Sequence, residues 1–112
     1  MKTIVIVNPQ AGNGRTEKIW PKIENALKQN IGSFQTLHTK SQGDAVLLTR
    51  KALERGTTRI VAVGGDGHLN EVLNGFIKND VQLNPQSTLG FVMSGTGCDF
   101  QRSLNISGNW HN

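Results

Sequence analysis

Two continuous apolar runs, Ile4 to Val7 and Ile60 to Val63, constrain the fold of this chain most, because neither alternates with polar residues. A strand of that kind is buried on both faces. Asn8-Pro9 closes the first run, and apolar residues at Ile19, Ile23, Ala26 and Leu27 then recur at helical spacing. Thr16 is the candidate N-cap of that helix and Asn30 to Gly32 its stop, with Pro21 tolerable only near the start. Phe34 to His38 reads as a second strand. Gly43-Asp44 opens a second helix through Ala45, Leu48, Ala52 and Leu53, with Gly56 as its C′ residue. After Ile60 to Val63, residues Leu69, Val72, Leu73, Phe76 and Ile77 fill the i, i+3, i+4, i+7, i+8 template of a third helix. Leu89 to Met93 is a fourth short strand. The order β-α-β-α-β-α-β predicts the α/β class, a parallel sheet with helices on its faces, and such sheets bind ligands beyond the carboxyl ends of their strands.

The chain has 112 residues, one cysteine and 36% apolar composition, one domain's worth, with a core that needs no disulfide. Cys98 has no partner within the chain, which favours a reducing compartment. No run approaches the roughly 18 to 20 apolar residues that cross a bilayer, and the N-terminal run is too short for a signal peptide. The expected location is cytoplasmic. A net charge of +4 suits nucleotides, anionic lipid surfaces or nucleic acid. Nucleic acid is disfavoured, because the cations are scattered and two tryptophans, four phenylalanines and no tyrosine offer few stacking platforms.

Chemistry concentrates in the loops that follow the strands. Gly64-Gly65-Asp66-Gly67-His68 joins the third strand to its helix, where glycines permit a sharp turn and a close backbone approach to an anion at the helix N-terminus. Asp66 is unusual there, since a carboxylate repels phosphate unless a metal ion, a cation or a hydroxyl proton lies between them. A helix-capping role for Asp66 is the alternative. After the first strand, Asn8-Pro9-Gln10-Ala11-Gly12-Asn13-Gly14-Arg15 offers backbone N–H groups at Gly12 to Gly14 and a cation at Arg15. It is neither a Walker A loop nor a dinucleotide fingerprint. Thr96 and Asp99 follow the fourth strand, and Thr39 the second; each has a capping or turn role as its alternative. His68 is a phosphate donor or a surface residue, Cys98 a small buried thiol, and Glu71 faces either solvent or the neighbours of Asp66.

Together these motifs resemble the catalytic domain of diacylglycerol kinases and related bacterial lipid kinases, kin to sphingosine kinases and NAD kinases. The similarity rests on Asn8 to Arg15, Thr39-Lys40-Ser41-Gln42-Gly43-Asp44, Gly64 to Gly75, and Gly95-Thr96-Gly97-Cys98-Asp99-Phe100. It implies a three-layer Rossmann-like sheet with helices on both faces, ATP and Mg2+ as cofactors, and transfer of the γ-phosphoryl group to a lipid alcohol such as diacylglycerol at a membrane surface. By that resemblance Asn8, Pro9, Gln10, Ala11, Gly12, Arg15, Thr39, Gly64, Gly65, Asp66, Gly67, His68, Leu69, Asn70, Glu71, Thr96 and Asp99 form the nucleotide site. Asp66 is the catalytic carboxylate, placed near the reacting hydroxyl or the metal, and orienting the acceptor is its expected role.

His68 stands where the family motif has threonine, and Cys98 where it has asparagine. Each departure removes one hydrogen bond, about 0.5 to 1.5 kcal/mol. Family enzymes also carry a second, β-rich domain, so residues 1–106 are expected to be the nucleotide-binding half, with 107–112 as a tail. The alternatives are an NAD-kinase-like small-molecule kinase and a non-catalytic module that self-associates as a homodimer through its open cleft and sheet edge.

Overall fold

The computed structural model describes residues 2–93; the expected site residues Thr96 and Asp99, with Cys98 and the tail, lie outside them. Four strands, β1 (Thr3–Val7), β2 (Gln35–His38), β3 (Arg59–Gly64) and β6 (Thr88–Met93), form one sheet in the order β2-β1-β3-β6. Every pairing in it is parallel. The helices α1 (Arg15–Ile31), α2 (Asp44–Glu54) and α3 (Asp66–Gly75) connect successive elements, and a small antiparallel hairpin of β4 (Ile77–Lys78) and β5 (Val81–Gln82) stands apart.

The unbroken apolar runs work in two directions. Ile4 and Ile6 of β1 and Ile60 and Ala62 of β3 point to one face, where they pack with Ala45, Ala52 and Leu53 of α2 and Val72 of α3. Val5, Val7, Val61 and Val63 point to the other and meet Ile23 and Leu27 of α1. Period-two alternation within a fully apolar strand thus makes a three-layer α/β sandwich, as expected. The α2 and α3 helices approach closely because Gly75 is small: a Cβ there would lie 2.5 Å from the Thr49 Cβ.

Three local expectations are corrected. Thr16 is not the N-cap of α1: that position is Gly14, at φ +88°, and Thr16 is buried with its hydroxyl donating to the Ala11 carbonyl at 3.2 Å. The first turn is set by the left-handed run Gly12, Asn13 and Gly14, a backbone path that propensity at Thr16 does not reveal. Pro21 lies well inside the helix, not at its start, with its ring on the exposed side. The third correction concerns Ile77, which belongs to β4 and not to α3. Asn79 and Asp80 both adopt positive φ, the geometry of a tight hairpin turn, and strand pairing of Ile77 with Gln82 outweighs its helical register.

The chain leaves β1 for β2 on one side and later returns to β3 on the other. A crevice opens at such a reversal, outside the carboxyl ends of the strands. Here it lies between Asn8, at the end of β1, and the β3–α3 turn.

Candidate functional site

A cleft of about 380 Å³ occupies this crevice, lined by Asn8 and Gln10 after β1, Thr39 to Gln42 after β2, and Gly67, His68 and Glu71 of α3. Its floor is pinned by the sheet. The Asn8 N–H donates to the Val63 carbonyl at 2.9 Å, and the Thr39 N–H and hydroxyl both donate to the Val7 carbonyl, at 2.8 and 3.4 Å. The Asn8 side chain accepts the Gln10 N–H at 3.1 Å, a turn closed by its own amide.

The N-termini of α1 and α3 look equivalent in sequence and differ in structure. At α1, the N–H groups of Arg15, Thr16 and Glu17 donate to the carbonyls of Gly12, Ala11 and Pro9. The Gly14 N–H donates to Gln10, so of the three loop donors expected there only Gly12 and Asn13 remain without a backbone acceptor among the described residues. At α3 the N-cap Gly65 is extended and no side chain caps the helix. Among the described residues no backbone acceptor takes the N–H groups of Asp66, Gly67 or His68; the first one engaged is Leu69, with the Gly65 carbonyl at 3.0 Å. Three aligned donors and the positive end of a helix dipole therefore open onto the crevice.

Asp66 is exposed at the first position of α3 and makes no capping bond, so the capping alternative does not describe it. His68 is not the surface residue of one sequence reading. It is 6% exposed, and its Nε2 lies 2.8 Å from the Ile6 carbonyl. A carbonyl only accepts, so Nε2 carries the proton. Gly64 makes room for the ring: a Cβ there would stand 2.9 Å from the His68 Cδ2. The sequence hides this because the helix template places position 68 beside, not within, its apolar stripe.

Burial lowers the His68 pKa from its ordinary 6.5, against the opposing pulls of the Ile6 carbonyl and the Glu71 charge. The unfolded chain then binds more protons than the native state as pH falls below about 6.5. The stability that neutral His68 contributes is present above that pH and is lost as pH falls from there through the folded value. The expected slope is at most about 1.4 kcal/mol per pH unit, and urea titrations across that range check it against His68→Gln.

Glu71 faces neither solvent nor Asp66 alone. Its carboxylate accepts the Gly43 N–H at 3.1 Å, tying α3 to the β2–α2 loop. Asp44 fixes the same loop from within, its carboxylate accepting the Lys40 and Ser41 N–H groups at 2.8 and 3.0 Å and the Ser41 hydroxyl at 3.2 Å. The Lys40 N–H, then the Ser41 N–H, hold its pKa below the ordinary carboxylate value. Sequence reasoning used Asp44 only as a helix opener; its place in the Thr39 to Asp44 motif was the available signal. Asp44→Ala is expected to loosen this wall and, for the ATP that the motif resemblance implies, to lower affinity about threefold to tenfold with folding retained, as calorimetric titration would show.

Of the expected residues, Asn8, Gln10, Thr39, Gly67, His68 and Glu71 line the central cleft, joined by Lys40, Ser41 and Gln42. Gly12 and Arg15 line a neighbouring hollow of about 330 Å³ with Asn13, Lys18 and Ile19. Pro9 faces a third hollow, on the α1 side, with Trp20 and His38. Ala11 serves the α1 turn through its carbonyl, Gly65 supplies the N-cap of α3 and Asn70 is exposed. Leu69 packs its side chain against the core. Among the described residues no group of three or more His, Cys, Asp or Glu side chains is placed to hold a metal ion, and no helix is long and apolar enough to cross a membrane.

The sequence and fold are similar to those of known proteins. A diacylglycerol kinase of Staphylococcus haemolyticus is 35% identical over 102 residues, covering 91% of this chain and 30% of its own length. One from Bacillus subtilis is 34% identical, covering 91% of this chain and 32% of its own. A crystal structure of a diacylglycerol kinase from Bacillus anthracis superimposes with a TM-score of 0.68 at 33% identity, covering 85% of this chain and 33% of that one. The chain thus spans about a third of the length of these relatives. The model of the diacylglycerol kinase catalytic domain matches residues 2–112, and the chain belongs to that family.

Proposed function

We propose that this chain is the nucleotide-binding half of a lipid kinase that transfers the γ-phosphoryl group of ATP to a lipid hydroxyl, such as that of diacylglycerol. The observation that supports it most is the N-terminus of α3 at the sheet's reversal point, where three N–H groups have no backbone acceptor among the described residues. Phosphoryl transfer needs chiefly positioning and charge neutralisation, which backbone donors and Arg15 supply. In this reading Asp66 orients the acceptor hydroxyl and Glu71 holds the β2–α2 wall against α3. Mg2+ bound with the nucleotide would supply neutralisation of the phosphate charge; among the described residues no cluster of side chains is placed to hold it alone. Residues 1–106 form the first of two domains, in keeping with relatives about three times as long. The acceptor lies at the inner face of the membrane, where the enzyme works peripherally.

Titration with Mg-ATP tests the reading on the chain as it stands. At 100 times the dissociation constant, ATP should stabilise the native state by about 2.7 kcal/mol, visible as a raised denaturation midpoint. A folded protein with no shift at millimolar ATP would overturn it. Assays with diacylglycerol, sphingosine and NAD on a protein of the relatives' full length then identify the acceptor.

A further inference from the structure

The imidazole of His68 has three distinct edges, and the fold engages two of them. Nε2–H is held by the Ile6 carbonyl at 2.8 Å. The Cδ2 edge lies against Gly64, where an added Cβ would come within 2.9 Å. The edge carrying Nδ1 is opposite, and His68 lines the cleft. With the proton fixed on Nε2, neutral Nδ1 has a lone pair and no hydrogen, so it accepts a hydrogen bond and donates none. Burial keeps the ring neutral. One turn further along α3, Glu71 adds a second acceptor to the same wall.

We infer that His68 is a specificity-determining residue of the nucleotide cleft, whose Nδ1 accepts a hydrogen bond from a hydroxyl or amino group of the nucleoside rather than contacting a phosphate. The inference rests on the nucleotide reading above. A lone pair facing phosphate oxygens repels them, whereas ribose hydroxyls and the adenine amino group are donors that match it. The cleft then has a sense. Open backbone donors at Asp66 and Gly67 take the phosphates, and the acceptor wall of His68 and Glu71 takes the nucleoside. Threonine, the residue of the family motif, has a hydroxyl that serves as donor or acceptor, so it does not impose this polarity.

Two measurements on the 112-residue protein test this. Nitrogen-15 spectra of the imidazole should show Nε2 protonated and Nδ1 bare, with Nδ1 moving toward the hydrogen-bonded position when ATP is added. A proton on Nδ1 in the free protein, or an Nδ1 signal unmoved at saturating ATP, overturns the inference. Affinities are then compared for ATP, 2′-deoxy-ATP, 3′-deoxy-ATP, purine riboside triphosphate and inorganic triphosphate. The wild type should bind ATP about fivefold to tenfold more tightly than the one analogue that lacks the matching donor, which tells a ribose hydroxyl from the amino group. His68→Gln can keep a donor toward Ile6 and should lose that preference, and His68→Asn, with an acceptor near the Nδ1 position, should retain much of it. Equal preferences in the wild type and His68→Gln overturn the inference while leaving ATP binding intact. Failure of every nucleotide to bind overturns the nucleotide reading as well.

Discussion

Asp66→Asn, introduced into a protein of the relatives' full length, is expected to lower the rate of phosphoryl transfer about 10³-fold while ATP affinity stays within about threefold. The separation follows from where Asp66 sits. It is exposed at the first position of α3 and makes no capping bond, so its charge serves the helix only through the dipole, about 0.3 to 1 kcal/mol, and its loss leaves the fold in place. Its backbone N–H remains in place after the substitution, so the open helix end still receives phosphate. What disappears is the one negative charge at that end of the helix. A carboxylate beside a phosphate-binding terminus is electrostatically unfavourable unless it serves the reaction, and orienting an acceptor hydroxyl is such a service. Single-turnover measurements beside equilibrium nucleotide titration check both halves. Substantial turnover in the variant would remove Asp66 from the mechanism; a parallel collapse of ATP binding would make it a binding residue instead.

Phe76→Ala is expected to cost about 3 to 5 kcal/mol of folding stability, against a total of roughly 5 to 15 for a domain of this kind. Phe76 is 2% exposed and packs in the cluster of Ile4, Ile6, Ala62, Val72 and Leu89. It is also a junction of backbone. As the C-cap of α3 its N–H donates to the Leu73 carbonyl at 3.1 Å, and its own carbonyl accepts the Leu83 N–H at 2.9 Å. Truncation opens a cavity under the C-terminal end of α3, away from the cleft, while the two backbone bonds can remain. Urea denaturation with the slope compared between variants is the check. A loss below about 1 kcal/mol would mean that the hairpin collapses into the space.

How much of this was legible in the sequence depended on the range of the interaction. Val5 and Ile6 are buried on opposite faces of one strand, and an unbroken apolar run states that directly. Gly56, at φ +91°, closes α2 as its position predicted, because a C′ glycine answers to the backbone of its own helix. Ile77 was misread because its partner, Gln82, lies beyond a turn whose left-handed Asn79 and Asp80 carried no glycine to mark it. The motifs located the site, and the resemblance they carried supplied its chemistry. They did not distinguish the two glycine-rich helix entrances. Local spacing at Gly12 to Gly14 looks as suited to an anion as Gly64 to Gly67, yet the first loop takes up the N–H groups of Gly14 to Glu17 with its own carbonyls, leaving only those of Gly12 and Asn13 without a backbone acceptor among the described residues.

Reading along the chain was enough for the α/β class and for the loops that gather at one sheet edge, because periodicity and turn residues are properties of neighbours along the chain; the family came from the resemblance that the motifs carry. It took the packed fold to show that, among the described residues, the first N–H groups of α3 stay open while those of α1 are engaged, that Glu71 and Asp44 brace the second wall, and that His68 is buried with its tautomer set. Each of those depends on a carbonyl or N–H supplied from elsewhere in the fold, as Ile6 does for His68 across 62 positions of sequence. Hydrogen-bond partners of that kind are fixed by packing, and no local pattern encodes them.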